Sequence, residues 1–269
     1  MRRNRRKNRR SSPRNLIDPQ FDCVRLMKTK SVLIALASGV LIASAVAADS
    51  GKAPKENVFA TKPSGITWSV KMVGPYMEAA DLQVICLFKH KASGDTYQGA
   101  AEETDKHLGG LLSALRNRGE FVGELGETFL FTPAKGSIPA KRFMIIGLGE
   151  ERDLSLDSLR VVGRIAAREA VRLRAKHVAW APVIRDEGNS VIEVGLGDRA
   201  FAEQFLSAYD TEQRLQAQGL APRFSIATVV IEAGPTYFDS AARQVGEGIE
   251  AVIADLKQRD GAPYSSTPK

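Results

Sequence analysis

The sequence predicts an α/β three-layer sandwich, with a mixed and mostly parallel sheet between helices, and three observations predict it. Short apolar runs alternate with helix-period apolar stripes from residue 65 to residue 260. Two of those runs, Leu82 to Phe88 and Phe143 to Ile146, are almost wholly apolar, as strands covered on both faces are. One pair of runs is joined by a link too short for a crossover, so an antiparallel neighbour is expected beside parallel ones.

In order, Ile66-Thr-Trp-Ser-Val70 alternates apolar and polar residues and predicts a half-buried strand, and Leu82 to Phe88 predicts a central one. Leu108, Leu111, Leu112 and Leu115 share one face at i, i+3, i+4 and i+7, which predicts a single helix stopped by Gly119. Thr128 to Phe131 and Phe143 to Ile146 are two more strands, linked through Pro133-Ala-Lys-Gly-Ser-Ile-Pro139. Ser155 is placed to cap a helix with the inner stripe Leu159, Val162, Gly163, Ala166, Ala170 and Leu173, small enough to lie close on the sheet. His177 to Ile184 reads as a strand broken by Pro182, and a helix follows with Phe201, Phe205, Ala208 and Tyr209 on one side. Ile226 to Ile231 is the last strand, and the last helix carries Phe238, Ala241, Val245, Ile249, Val252 and Ile253.

Residues 1–48 read as a leader rather than as part of the domain. Residues 1–26 form a basic extension with nine Lys or Arg against two Asp, consistent with a gene start set too early, with Met27 the alternative start. Residues 27–48 have the pattern of a signal peptide: Met27-Lys-Thr-Lys30, an apolar core from Val32 to Ala43, and the small residues Ala45-Val46-Ala47 before Asp49. Cleavage is expected after Ala47 or Ala48, and with it a periplasmic or secreted protein. Residues 49–64 read as a linker, 65–260 as the domain and 261–269 as a flexible tail.

The leader dominates the charge. Residues 1–48 hold eleven Lys and Arg against two Asp, so the whole-chain value of +7 leaves −2 on the other 221 residues. A near-neutral body has no electrostatic footprint for nucleic acid, and membrane contact is expected only through the leader. With Cys23 in the leader, Cys86 is the one thiol of the domain, and no internal disulfide is expected.

Gly147-Leu-Gly149, straight after a strand, invites comparison with a dinucleotide-binding turn. That turn needs a third glycine where Arg152 stands, and Glu150, Glu151 and Asp153 would repel phosphate. Gly195-Leu-Gly197 precedes a helix too but is followed by Asp198, and no Walker Gly-Lys-Ser/Thr is present. Both pairs are expected to serve backbone geometry, and no cofactor is expected.

The runs Asp105-Lys-His-Leu-Gly-Gly110, Gly119-Glu-Phe-Val-Gly-Glu-Leu-Gly-Glu127 and Lys141-Arg-Phe-Met-Ile-Ile-Gly-Leu-Gly149 resemble the amino-terminal domain of leucyl (cytosol) aminopeptidases. So do Leu154-Ser-Leu-Asp-Ser-Leu-Arg160 and Ala202-Glu-Gln-Phe-Leu-Ser-Ala-Tyr209, and the resemblance spans roughly Ile66 to Leu256. It implies a macro-domain-like α/β sandwich. The chemistry of that family lies in a separate carboxy-terminal domain, where Asp, Glu and Lys hold two metal ions around the signature Asn-Thr-Asp-Ala-Glu-Gly-Arg. This sequence lacks that run, and no catalytic or metal residue of the family can be carried onto it.

Other chemistry is thinly represented. His90, His107 and His177 lack metal-ligand spacing: His90 is expected exposed, His107 on a solvated helix face and His177 at a sheet edge. Cys86 sits mid-strand, which raises a thiol's pKa. Glu102, Glu103 and Asp105 read as a solvated helix start. No catalytic and no metal-binding residue is therefore expected. A ligand site in an open α/β sheet lies beyond the carboxyl ends of the strands. The loops there are Lys89–Gly99, Gly147–Asp153, Arg185–Gly188 and Gly234–Phe238, with Gly147, Gly149, Gly234 and Tyr237 as the candidate residues. The expected function is an exported, non-catalytic domain that binds a protein partner or a small ligand. Aminopeptidase-related work, as an accessory to a separate catalytic chain or as residual activity, is the first alternative, and ADP-ribose binding the second. Self-association is left open by the sequence.

Overall fold

The computed structural model describes residues 54–60 and 64–259; the expected leader at 1–48 with its expected cleavage site, and the expected tail from 261, lie outside the described residues. Seven strands form one sheet: β1 (Glu56–Ala60), β2 (Thr67–Lys71), β3 (Leu82–Leu87), β4 (Thr128–Phe131), β5 (Phe143–Gly147), β6 (His177–Ala181) and β7 (Thr228–Glu232). Five helices accompany them: α1 (Gly99–His107), α2 (Leu111–Asn117), α3 (Leu156–Arg172), α4 (Val194–Ala217) and α5 (Phe238–Arg259). The strand order is β1-β2-β7-β6-β3-β5-β4. The five inner strands are parallel and the two edges antiparallel, so the sheet is mixed and mostly parallel as the sequence predicts.

Strand alternation divides the core. Trp68, Val70, Val84, Cys86, Met144, Ile146, Trp180 and Ile231 point to one face and pack with the buried stripes of α3, α4 and α5. Ile85, Leu87, Phe143 and Ile145 point to the other and meet Ala101 of α1 and Leu112 and Leu115 of α2. The Trp180 indole stacks on Phe201 at 4.2 Å and Phe201 leans on Phe205 at 5.6 Å, which fastens α4 to the centre of the sheet. Ser155 caps α3 in a reciprocal capping box with Ser158.

The structure corrects five expectations. The segment 49–64 is not all linker: Glu56–Ala60 pairs with β2, and its inward Phe59 lies opposite Trp68. The leucine stripe is not one helix, because Gly109 and Gly110 both take left-handed φ (69° and 79°), and α2 begins anew at Leu111. Asp105 is not a solvated residue of a helix start; it accepts hydrogen bonds from the Leu112 amide at 2.8 Å and from Ser113 Oγ at 2.5 Å, holding α2 to α1. Gly195 and Gly197 do not precede a helix but lie within α4, where added Cβ atoms would stand 2.7 Å from Ser240 Oγ and 2.8 Å from Leu159 Cδ1. The close approach of α3 is to α4 rather than to the sheet alone, since a Cβ on Gly163 would stand 2.3 Å from the Phe201 carbonyl oxygen.

Candidate ligand pocket

Three parallel strands, β2, β7 and β6, end side by side, and each then turns away for a different local reason. β2 runs into Met72-Val-Gly-Pro-Tyr-Met77, closed by a 2.9 Å bond from the Met77 amide to the Gly74 carbonyl. β6 stops at Ala181 because Pro182 has no amide hydrogen for the ladder. Val183 then takes φ 39°, a left-handed setting strained for a β-branched residue, and turns the chain into a single 3-10 turn, Ile184–Glu187. β7 passes through Ala233 and Gly234, whose carbonyl accepts from the amides of Tyr237 and Phe238 as α5 starts. Between these turns lies a cavity of about 510 Å³, closed on its fourth side by Ile192, Glu193 and Val194.

The walls are mainly apolar, and the charged groups around them are tied down. Glu193 caps α4, its carboxylate accepting from the amides of Gly195 (3.0 Å) and Leu196 (2.8 Å) and from Ser240 Oγ (2.6 Å). Burial pushes this carboxyl up, but those three donors outweigh it and hold it below the usual glutamate range. Asp186 accepts from the Ala101 amide at 3.0 Å at the start of α1, and burial keeps its pKa raised. The Arg185 guanidinium donates to the carbonyls of Asn189 and Ile192, both at 2.7 Å, and lies 5.9 Å over the Tyr237 ring.

Glu232 is different. It closes β7, lines the cavity and is only 4% exposed. One carboxylate oxygen, Oε2, accepts from Gln83 Nε2 at 2.7 Å, while Oε1 has no hydrogen-bond partner among the described residues. Burial pushes its pKa to about 8, with the hydrogen bond from Gln83 opposing the rise.

Of the four candidate residues, the structure brings Gly234 and Tyr237 to this cavity and leaves Gly147 and Gly149 outside it. Gly147 faces the 123–125 loop so closely that a Cβ would stand 2.0 Å from the Glu124 carbonyl oxygen. Gly149, at φ 76°, donates its amide to the Gly123 carbonyl and accepts from the Lys89 amide. Both glycines therefore seat one loop against another, the backbone role the sequence suggested. The wall from Met72 to Met77 was missed, as were Glu193 and Glu232; only the acidic end of the last apolar run pointed to Glu232.

The remaining reactive side chains do not line the cavity. His90 contacts Asp95 at 2.9 Å and is half-buried rather than exposed; His107 stacks on Tyr76 at 4.6 Å; His177 meets Thr228 Oγ1 at 2.8 Å. His177 is exposed because it begins its strand, yet β6 lies inside the sheet and is not an edge. The Cys86 thiol donates to the Pro182 carbonyl at 2.9 Å, and burial pushes its pKa well up, away from nucleophilic use. Among the described residues no group of three or more His, Cys, Asp or Glu is arranged to hold a metal ion, and no helix is long and apolar enough to cross a membrane.

The chain is similar to several known proteins. Residues 84–215 match the model for the cytosol aminopeptidase family, N-terminal domain. A probable cytosol aminopeptidase of Thermosynechococcus vestitus is 29% identical over 210 residues, covering 71% of this chain and 41% of that protein. The chain thus spans about two fifths of the length of this curated relative. A tomato leucine aminopeptidase variant superposes with a TM-score of 0.55 at 20% identity, over 77% of this chain and 39% of that one. An Oceanobacillus iheyensis macrodomain aligns over 77% of this chain and 98% of its own, with a TM-score of 0.48 and 12% identity.

Proposed function

We propose that this chain, which carries the N-terminal domain of the cytosol aminopeptidase family at residues 84–215, is an exported, non-catalytic recognition domain whose cavity at the ends of β2, β6 and β7 holds a small apolar ligand. The cavity carries this reading. Its volume of about 510 Å³ falls in the range of small-molecule sites, and apolar walls with a few fixed polar groups are what such sites present. Its position at the carboxyl ends of parallel strands is where open α/β sheets take their ligands. Recognition is favoured over catalysis because Asp186 and Glu193 already serve as acceptors for helix amides, which leaves them ill-suited to shuttle protons. Export rests on the leader pattern of residues 27–48.

The test uses the purified full chain and a neutral branched alcohol, 3-methylbutan-1-ol, followed by thermal unfolding. Ligand at tenfold its Kd stabilises a domain of this size by about 1.4 kcal/mol, a rise of about 3–5 °C in Tm. Gly234→Phe is expected to abolish the rise by filling the cavity, since the only atom near a Cβ there is Tyr237 Cδ2 at 4.0 Å. A rise that survives Gly234→Phe removes the cavity reading, as does the absence of any rise with the alcohol and with its isosteric amine and carboxylate alike.

The family match favours a second reading, in which the domain serves a separate aminopeptidase chain. Co-purification from the native organism tests it, and recovery of this chain without a peptidase would count against it.

A further inference from the structure

We propose that the cavity selects an apolar primary amine, whose ammonium group is held by the Glu232 carboxyl while its alkyl part lies against Met72, Ile184, Val194 and Tyr237. This rests on the cavity being a ligand site, and it adds the chemical class of the ligand.

Three observations lead there. A buried carboxyl oxygen without a hydrogen-bond partner is costly, and native proteins satisfy such atoms with few exceptions. Glu232 Oε1 is such an atom, and Glu232 belongs to the cavity lining. Next, the nearest basic group cannot serve it. Lys71 stands opposite Glu232 in the β2–β7 register, but its Nζ is bound to Glu78 at 2.8 Å. Last, the titratable groups around the cavity are mainly acidic, with Glu232 giving up its proton when an ammonium group docks. Asp186, Glu193 and Glu232 are acidic, and Arg185, the one basic residue of the lining, spends its guanidinium on two backbone carbonyls and on Tyr237. A cationic donor fits that field, and an anion does not. A bare metal ion needs several oxygen or nitrogen ligands, whereas the walls nearby supply methionine, isoleucine, valine and proline.

Binding of three isosteric probes, 3-methylbutylamine, 3-methylbutan-1-ol and 3-methylbutanoate, to the full chain at pH 7.5 tests the proposal by calorimetry. The amine is expected to bind at least tenfold more tightly than the alcohol, and the carboxylate to bind more weakly than either. In Glu232→Gln the amine should lose its advantage over the alcohol. Because that variant could fold poorly, the carboxyl carbon of Glu232 is also followed by NMR in the wild-type chain. Saturating amine should lower its pKa by at least one unit against the influence of Lys71, Glu78 and Gln83, and alcohol should leave it in place. Equal binding of amine and alcohol, an unmoved Glu232 titration, or a preference that persists in Glu232→Gln overturns the amine proposal while leaving the cavity reading intact. Failure of all three probes overturns both.

Discussion

Gln83 and Glu232, 149 residues apart in sequence, are joined by a 2.7 Å hydrogen bond that spans β6, the strand lying between theirs. The contact exists because β6 presents the small Ala179 and Ala181 between them on that face, leaving room above for two long polar side chains. It stands at the border between the apolar layer under α1 and α2 and the cavity. One polar pair thus connects the core to the proposed site.

The pair makes stability depend on pH. Glu232 has its pKa raised from 4.5 to about 8, so between those values the folded chain holds a proton that the unfolded chain has lost. The stabilisation is fully present below about pH 4.5 and is lost as pH rises through 8, with a slope of at most about 1.4 kcal/mol per pH unit. Glu187, also raised to about 8 by burial, adds in the same direction. Urea unfolding at pH 5, 6, 7 and 8 should therefore show falling stability, and Glu232→Gln should remove part of the slope, since burial raises Asp186 and Asp198 as well. An unchanged slope in the variant would show that Glu232 titrates normally.

Arg116 is the other buried charge with structural weight. Its side chain is 1% exposed; it reaches Asp95 at 2.6 Å and donates to the carbonyls of Phe88 (2.5 Å) and Val122 (3.1 Å). Arg116→Ala takes from Asp95 its guanidinium partner and from the Phe88 and Val122 carbonyls a side-chain donor, leaving Asp95 to His90 and the Lys91 amide, and should cost about 3–5 kcal/mol in urea unfolding. Arg116→Lys keeps the charge but not the fork, so its cost should lie between wild type and alanine. A loss below 1 kcal/mol for Arg116→Ala would contradict the assignment.

The glycines separate packing from binding. Gly147→Ala drives a methyl against the Glu124 carbonyl and should destabilise by about 3 kcal/mol. Gly234→Phe, whose Cβ would meet only Tyr237 Cδ2 at 4.0 Å, should change stability by less than about 1 kcal/mol while blocking ligand. The reverse ranking would place the functional loop at 147–149.

Export makes its own prediction. Mass spectrometry of the mature protein should find an amino terminus near Ala48 or Asp49. A product that retains residues 1–30 would refute the signal peptide.

What the sequence disclosed and what it hid divide along local and distant causes. The apolar runs at Leu82 and Phe143 and the cap at Ser155 were legible because their patterns are local, and each lies within a residue or two of its predicted place. The edge strand at Glu56 was hidden because an edge buries only one side chain in two and here sits among Lys and Pro. The break at Gly109-Gly110 was masked by a leucine spacing that stays helical across it. For the site, Gly234 and Tyr237 were legible from topology alone. The wall from Met72 to Met77 has no periodicity, and the Gln83–Glu232 bond and the Asp186 cap on α1 join segments far apart in the chain, so no local pattern announces them.

The most direct test of where this domain recognises its ligand is an amide NMR titration of the full chain with 3-methylbutylamine. The account predicts shifts confined to residues 72–77, 182–186, 192–194 and 232–237, with residues 147–153 unmoved. Shifts centred on Gly147 and Gly149, with the Glu232 region silent, would contradict it.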